Sequence, residues 1–327
     1  MKRRDFLKTT GGGVAVAAMC RATASFSMAN ESSTKIALVK TRDRAQGIAA
    51  ALKLITVASP KGKKALIKPN FNTADTTPGS THADTLRQLV KEMRERGAAS
   101  ITVGESSGPG DTQAVMDKLG IPALSKELNF DVINFDQMPS DGWVQCNPTG
   151  SHWKNGFSVA KPVLEAEYLL WTCCLKTHGF GGVHSMSLKL AVGAINKNVR
   201  MNVMHADNVN MRRMIAEINQ TFTPQLIVMD GIDIFVDGGP MTGKLVNAGV
   251  IIAGTDRVAV DAVGLAVLKN HGANNAIMSK KIFEHEQIAR AVELGLGVKS
   301  AAGIDIVTGD AESAEYAGKL REILDKQ

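Results

Sequence analysis

Residues 168–189 read YLLWTCCLKTHGFGGVHSMSLK. An apolar run ends at Lys176 and His178, a glycine-rich turn follows, and a helical pattern then begins around Lys189. A short apolar run closed by polar residues and glycines is typical of a strand buried in a parallel sheet, and ligands collect at the C-terminal edge of such sheets. The segment therefore predicts an α/β protein with a ligand site directly after this strand.

The same alternation of apolar runs and helical periods continues in both directions along the chain. The candidate strands are Lys35–Val39, Ala65–Lys68, Ile101–Gly104, Asp131–Phe135, Tyr168–Leu175, Leu226–Asp230, Gly249–Ala253 and Ile304–Val307. The candidate helices are Gln46–Val57, Ala83–Arg96, Thr112–Leu119, Val209–Gln220, Val258–Lys269, Lys281–Leu294 and Ala314–Asp325. This order indicates an α/β fold with a mixed, mostly parallel sheet flanked by helices. Residues 136–162, interrupted by proline and glycine, predict a small antiparallel excursion or a smaller lobe.

The composition is that of a globular protein, with 44% hydrophobic, 21% charged and 5% aromatic residues among 327. This balance excludes a disordered or low-complexity chain. No apolar run reaches the roughly 20 residues that span a bilayer, so we expect no stable membrane insertion. The formal charge of +6 is concentrated in residues 1–24, which hold five basic residues and one acidic residue. The rest of the chain has no basic stripe, so we expect no nucleic-acid partner.

The N-terminus has the organisation of an export signal. Arg3-Arg4 precede a short, glycine-diluted apolar run and small residues, which indicates a cleaved signal peptide over residues 1–29. Its start resembles the twin-arginine motif, which implies transport by the twin-arginine translocase in the folded state. We expect cleavage after Ala24 or Ala29, a periplasmic location, and a single α/β domain over residues 30–327.

The cysteines do not form a recognisable framework. Outside the leader they are Cys146, Cys173 and Cys174, an odd number, which argues against a set of disulfides in an oxidising compartment. Side chains alternate along a strand, so the adjacent Cys173 and Cys174 are expected to be buried, inert thiols on opposite faces. No Cys-x-x-Cys repeat occurs, so we expect no ferredoxin-type iron–sulfur cluster.

Two further candidate strands end in polar residues. Lys68 closes one of them and Asn70 follows it, where they could hold a ligand or, in the case of the amide, cap the backbone of a simple loop. Glu105 follows the next, as a candidate ligand or catalytic base, or as part of a flexible turn. Farther on, Asp256 is a candidate helix N-cap, and Asp261 within the same helix is a candidate for the cleft.

The glycine-rich turn has the features of an anion site. Gly181 and Gly182 would let backbone N–H groups converge on an anion, and the N-terminus of the helix that follows would add partial positive charge. Lys176 and Lys189 flank the turn and would strengthen that field. We therefore predict that these four residues bind an anionic substrate or cofactor.

Histidines cluster around the same turn. His178, His184 and His205 lie within 28 residues of one another. Imidazole can ligate a borderline metal ion or move protons near neutral pH, and both possibilities stay open here. We predict His178 as a catalytic residue, with His178 and His205 as candidate metal ligands.

In this order, several of these segments resemble the family known as domain of unknown function 362. The segments that carry the resemblance are Lys68-Pro69-Asn70, Lys176-Thr177-His178, Ser187 to Gly193, Asp230-Gly231 with Gly238-Gly239-Pro240, and Asp256 to Asp261. The resemblance covers roughly residues 35–310 and implies no particular reaction. Some relatives append a ferredoxin-like module, which this chain lacks, and relatives usually have Lys-Asn where it has Lys189-Leu190.

A local similarity to the nickel-pincer lactate racemases involves His178, Lys189 and His205, which occur in the same order. In that family a histidine precedes the glycine-rich loop, the lysine holds a pyridinium-derived cofactor and a later histidine ligates nickel. The similarity implies a metal ion or a nickel-pincer-type cofactor. Overall, we expect an enzyme that binds an anionic small molecule with a metal or metal-containing cofactor. The alternative is a non-catalytic periplasmic protein that binds an anion or a metal.

Overall fold

The central strands are apolar along most of their length because both faces of the sheet are covered. In the computed structural model, which describes residues 33–326, the strands are β1 (Thr34–Lys40), β2 (Lys64–Lys68), β3 (Ser100–Glu105), β4 (Asp131–Asn134), β5 (Trp143–Cys146), β6 (Phe157–Ala160), β7 (Tyr168–His178), β8 (Val183–Ser185), β9 (Leu226–Gly238), β10 (Gly243–Gly254) and β11 (Ile304–Val307). The α-helices are α1 (Arg44–Leu54), α2 (Ala83–Glu95), α3 (Thr112–Lys118), α4 (Ile121–Leu128), α5 (Lys161–Leu164), α6 (Ser187–Leu190), α7 (Lys197–Val199), α8 (Met211–Ile218), α9 (Arg257–Asn270), α10 (Asn275–Met278), α11 (Glu286–Glu293) and α12 (Ala311–Asp325).

The main sheet has the strand order β11-β1-β10-β9-β7-β2-β3-β4. Strand β10 runs antiparallel to both of its neighbours, and the other adjacent pairs along this path are parallel. Strand β8 folds back on β7 as an antiparallel partner. The separate antiparallel pair of β5 and β6 lies within residues 136–162. The predicted α/β class, with a mostly parallel sheet and a small antiparallel excursion, is confirmed.

The side chains of β7 show how the sheet separates two cores. Leu169, Trp171 and Leu175 pack in one core, whereas Tyr168 and Leu170 pack in the other, as the two-residue period of a strand requires. The two cysteines that follow Thr172 are buried and free. Burial raises the pKa of both thiols, that of the second to about 11, which agrees with the expectation of inert thiols.

The sequence underestimates three strands. Strand β7 continues to His178, β9 continues to Gly238, and β10 already begins at Gly243. Polar residues such as Asp233 interrupt the apolar run of β9, but the chain stays extended because β9 and β10 pair as a long hairpin with two register shifts. In residues 33–326, no helix is both long and apolar enough to cross a membrane. The predicted leader, residues 1–29, lies outside the described residues, so export stays a prediction.

The strand order brings the candidate segments together. Strands β7, β2 and β3 are adjacent and mutually parallel, so their C-terminal ends lie side by side. These ends carry His178, Lys68 and Glu105. The edge of the sheet at which the sequence predicts a ligand site is therefore formed by three strands that are adjacent in the sheet.

Candidate functional site

A cavity of about 330 Å³ opens at these strand ends. Most of the predicted site residues line it, namely Lys68, Asn70, Glu105, Lys176, His178, Lys189 and His205. Gly181 and Gly182 are not among its lining residues. Apolar side chains, including Phe180, Met186, Leu190, Val192 and Met241, form much of the remaining wall. The cavity therefore combines charged groups with a largely apolar surface.

Lys68 and Glu105 form a buried ion pair at one wall. Lys68 Nζ lies 2.6 Å from Glu105 Oε1, and the two side chains are only 1% and 2% exposed. The carboxylate also accepts backbone N–H groups from Phe71 and Ser106, each at 2.8 Å. Glu105 is thus a fully engaged counter-ion, which differs from the free catalytic base considered from the sequence.

Lys176 and Arg200 are fixed by backbone carbonyl groups. Lys176 Nζ donates to the Gly79 carbonyl at 2.6 Å, and Arg200 donates to the carbonyls of Val192 at 3.2 Å and Ile195 at 3.1 Å. Both side chains are buried, and burial lowers the pKa of each. Neither has a carboxylate within salt-bridge distance among the described residues, so their positive charges are held in place but not neutralised.

Lys189 lies on α6 beside the cavity. Among residues 33–326, its side-chain amine has no hydrogen-bond or ion-pair partner, although its backbone carbonyl accepts the N–H of Ala191. Burial, together with the positive charges of Lys176 and Arg200, lowers the pKa of Lys189 to about 8. The amine is therefore partly neutral at slightly alkaline pH and is free to interact with a bound molecule.

The helix that carries Lys189 is held from beneath by Asp261. The Asp261 carboxylate accepts the backbone N–H of Ser187 at 2.8 Å, its hydroxyl at 2.5 Å, and the backbone N–H of Leu188 at 3.0 Å. The sequence suggested that the N-terminus of this helix would bind an anion and that Asp261 would face the cleft. Instead, Asp261 takes up the first amides of α6, so it supports the wall rather than lining it. Asp256 is the N-cap of α9, as expected.

His178 is buried and neutral. Its Nδ1 accepts the backbone N–H of Phe180 at 3.2 Å, so the ring proton of the neutral imidazole belongs on Nε2. Burial lowers the pKa of His178 well below its usual value, and the charges of Lys189 and Lys176 act in the same direction. The ring can therefore present an N–H donor from Nε2, whereas metal ligation through Nε2 would require the other tautomer.

His205 follows a π-helix, Arg200–Met204, which continues α7. The backbone N–H of His205 donates to the carbonyl of Arg200 at 3.0 Å, the five-residue spacing of this helix type. Burial lowers the pKa of His205 to about 4, with Lys189 and Arg200 contributing. His205 is thus also neutral at pH 7.

The two glycines of the turn are needed for its backbone conformation and for close packing around it. Gly181 has a φ of +77°, a conformation that favours glycine, and its carbonyl accepts from Arg212. A Cβ at Gly182 would lie 2.9 Å from both His178 Nδ1 and Lys189 Cε. Gly182 thus allows the imidazole and the lysine side chain to pack closely against the turn.

A bound metal ion does not fit the described side chains well. No group of three or more His, Cys, Asp or Glu residues is arranged to hold a metal within residues 33–326. His178 and His205 are also surrounded by basic side chains, which repel a cation. The basic surroundings therefore disfavour a cation at these two histidines.

Gly193 tests how tightly the buried ion pair is packed. A Cβ there would lie 2.5 Å from Glu105 Oε1 and 2.7 Å from Lys68 Nζ. We expect Gly193→Ala to lower the free energy of unfolding by about 1–3 kcal/mol in urea denaturation, the usual cost of overpacking. The control is Gly318→Ala on α12, where no atom lies within 4 Å and where helix propensity predicts a small gain. Equal effects of the two substitutions would contradict the packing argument.

Comparison with known proteins identifies the family. The model for the domain of unknown function DUF362 matches residues 65–266, more than half of the chain, and the chain belongs to this family. A structural neighbour is the lactate racemase apoprotein from Thermoanaerobacterium thermosaccharolyticum. It is 15% identical in sequence with a TM-score of 0.44, over 89% of this chain and 86% of that chain. No significant match is found among curated proteins.

Proposed function

We propose that this member of the DUF362 family is an enzyme that acts on a small organic anion bound at the strand ends. The charge of the cavity carries the proposal. Its lining includes four basic side chains, Lys68, Lys176, Lys189 and Arg200, whereas Glu105 is the only carboxylate among the described lining residues. Burying an excess of positive charge costs several kcal/mol unless a counter-ion is present, and a bound anion supplies that counter-ion.

The volume and the lining of the cavity limit the kind of ligand that it can hold. A volume of about 330 Å³ lies at the lower end of the range for small-molecule sites. Apolar side chains such as Phe180, Leu190 and Met241 share the lining of the cavity with the charged groups. We infer a ligand with an acid group at one end and an apolar part at the other, such as a short carboxylic acid.

The two histidines give the site its acid–base capacity. A neutral imidazole can accept a proton at one nitrogen and donate one from the other. His178 and His205 both line the cavity, and burial keeps both neutral at pH 7. We assign them to proton transfer rather than to metal binding, and Glu105 to the counter-ion of Lys68.

Binding should depend on Lys189. We expect Lys189→Met to raise the Kd of a bound carboxylate by roughly 10- to 150-fold, because a hydrogen bond to a charged group contributes about 1.5–3 kcal/mol. Isothermal titration calorimetry with lactate, pyruvate, succinate and benzoate measures this change. The matched control is Lys91→Met on α2, an exposed lysine outside the cavity lining, which should leave the Kd unchanged. An absence of saturable binding for all four acids would overturn the proposal.

The same ligands distinguish an enzyme from a binding protein. The bound acid is incubated with the protein in D₂O and followed by NMR for conversion or for exchange of its C–H protons. Turnover or exchange that is lost in His178→Asn, while the Kd is retained, supports the enzyme. Saturable binding without conversion or exchange would instead indicate the non-catalytic binder, the second reading left open by the sequence.

A further inference from the structure

Lys189 differs from the other basic side chains of the cavity because its amine has no partner among residues 33–326. Lys68 is paired with Glu105, and Lys176 donates to the Gly79 carbonyl. Arg200 is held by several backbone carbonyls. The amine of Lys189, in contrast, makes no hydrogen bond or ion pair within the described part of the chain, although it lines the same cavity. Its amine is therefore the one basic group among these four that is not committed to holding the fold together.

The surroundings favour the neutral form of this amine. Burial and the neighbouring charges of Lys176 and Arg200 lower the pKa of Lys189 to about 8, so roughly a tenth of the molecules carry a neutral amine at pH 7 and about half at pH 8. A lysine that is desolvated next to another cation is a recognised kind of nucleophile toward carbonyl groups. The amine of Lys189 is therefore suited to act as a nucleophile as well as to bind an anion.

His178 is the neighbour that can assist such a nucleophile. The close approach of Gly182 to both His178 Nδ1 and Lys189 Cε places the two side chains together against the same turn. His178 is neutral, so at rest it adds no positive charge beside the amine, and its Nε2–H is available as a hydrogen-bond donor. The fixed charges of Lys176 and Arg200 remain available for an acid group of the ligand.

We propose that Lys189 forms an imine with the carbonyl carbon of a 2-oxo acid whose carboxylate is held by the neighbouring basic side chains. A 2-oxo acid carries its carboxylate next to the carbonyl, so binding of the acid group brings the reactive carbon to the cavity wall. This inference rests on the proposed function and makes it more specific, because it names the ligand class and the residue that bonds to it.

The step balances within the protein and the ligand. The neutral amine attacks the carbonyl carbon, a C–N bond forms, and the carbonyl π electrons move onto oxygen. The nitrogen then gives up two protons and the oxygen takes up two through solvent, and the oxygen leaves as water as the C=N bond forms. The Nε2–H of His178 can donate a hydrogen bond to that oxygen as it departs. No oxidant or reductant takes part. The imine, once protonated, withdraws electrons from the adjacent C–H bond, which His205 could then deprotonate.

Reductive trapping tests the proposal on the full-length protein. The protein is incubated with pyruvate and cyanoborohydride, digested, and analysed by mass spectrometry for carboxyethyl-lysine. We expect modification of Lys189 well above the level at exposed lysines such as Lys91, with a rate that rises as the pH passes through about 8. Lactate, which has a hydroxyl in place of the keto group, should protect Lys189 by competition without forming an adduct.

Lys189→Arg separates this inference from the proposed function. Arginine keeps the positive charge, so pyruvate and lactate should still bind by calorimetry, while the specific adduct disappears. Binding of both acids to the wild type without preferred modification of Lys189 would overturn the imine but leave the anion site standing. Failure of both acids to bind would overturn the imine, and the anion site would fall with it only if succinate and benzoate also failed to bind.

Discussion

Replacing Glu105 with alanine is expected to lower the free energy of unfolding by about 3–5 kcal/mol, the range measured when one partner of a buried ion pair is removed. The substitution leaves Lys68 1% exposed with no carboxylate at its Nζ. It also removes the acceptor of the backbone N–H groups of Phe71 and Ser106. Because those two residues belong to the loops after β2 and β3, the edge of the cavity should loosen as well.

Urea denaturation of three proteins measures this effect. The paired substitution Lys68→Met with Glu105→Leu removes both charges and should recover much of the loss, since an apolar pair of similar volume often replaces a buried ion pair without penalty. Glu127→Ala is the surface control, because its partner Arg87 and Glu127 itself are both exposed. If Glu105→Ala were no more destabilising than Glu127→Ala, the buried pair could not be the structural support described above.

The site residues that lie at the ends of strands could be predicted from the sequence. Lys68, Glu105 and His178 each end an apolar run, and parallel strands place such ends on one edge of the sheet. The same argument predicted the α/β class, because helical periods separate the runs. These predictions depend only on local sequence patterns, so they can be made without knowing the long-range contacts.

The site residues that lie in irregular backbone segments could not be predicted in the same way. Arg200 is 2% exposed and faces the cavity, although its segment, residues 196–204, has no apolar period that would indicate burial. Its position depends on the π-helix, whose five-residue hydrogen bond to His205 changes which side chains point inward. A long-range contact, from Arg200 to the carbonyl of Ser107, adds to this placement and has no signal in the local sequence.

The role of Asp261 shows a different limit. The sequence places it on a helix five residues after Asp256, which is compatible with either the cleft or the core. The structure resolves this, because the first turn of α6 lies over Asp261 and its amides need an acceptor. The packing of α6 against α9 determines that the Asp261 carboxylate binds the amides of α6 and does not face the cleft.

That buried carboxylate should make stability depend on pH in an unusual direction. Burial raises the pKa of Asp261 to about 7, even though the hydrogen bonds from Ser187 and Leu188 and the nearby Arg257 act to lower it. In the unfolded chain the pKa is near 3.8. Between about pH 4 and pH 7 the folded protein therefore holds a proton that the unfolded chain has released, so the contribution of Asp261 to stability falls as the pH rises.

We expect the whole fall to amount to about 4 kcal/mol, since each unit of pKa difference corresponds to about 1.4 kcal/mol, and roughly 3 kcal/mol of it to lie between pH 5 and pH 8. Histidines with lowered pKa values, such as His178 and His285, act in the opposite direction over part of the same range. The test is therefore a difference: the free energy of unfolding of the wild type minus that of Asp261→Asn, measured in urea at pH 5 and at pH 8. Asparagine does not ionise, so the difference should become less favourable to the wild type as the pH rises.

Asp310→Asn is the matched control for this measurement. Asp310 also caps a helix, α12, and accepts the backbone N–H and hydroxyl of Ser313, but it is largely exposed and its pKa is lowered rather than raised. Its substitution should therefore shift the pH dependence in the opposite direction and by less. If Asp261→Asn does not fold, the carboxyl ¹³C shift of Asp261 in the wild type gives the pKa directly. A midpoint near 4 would mean that Asp261 is ionised throughout the physiological range, and α6 would then be held by a permanent negative charge rather than by a group that titrates near neutrality.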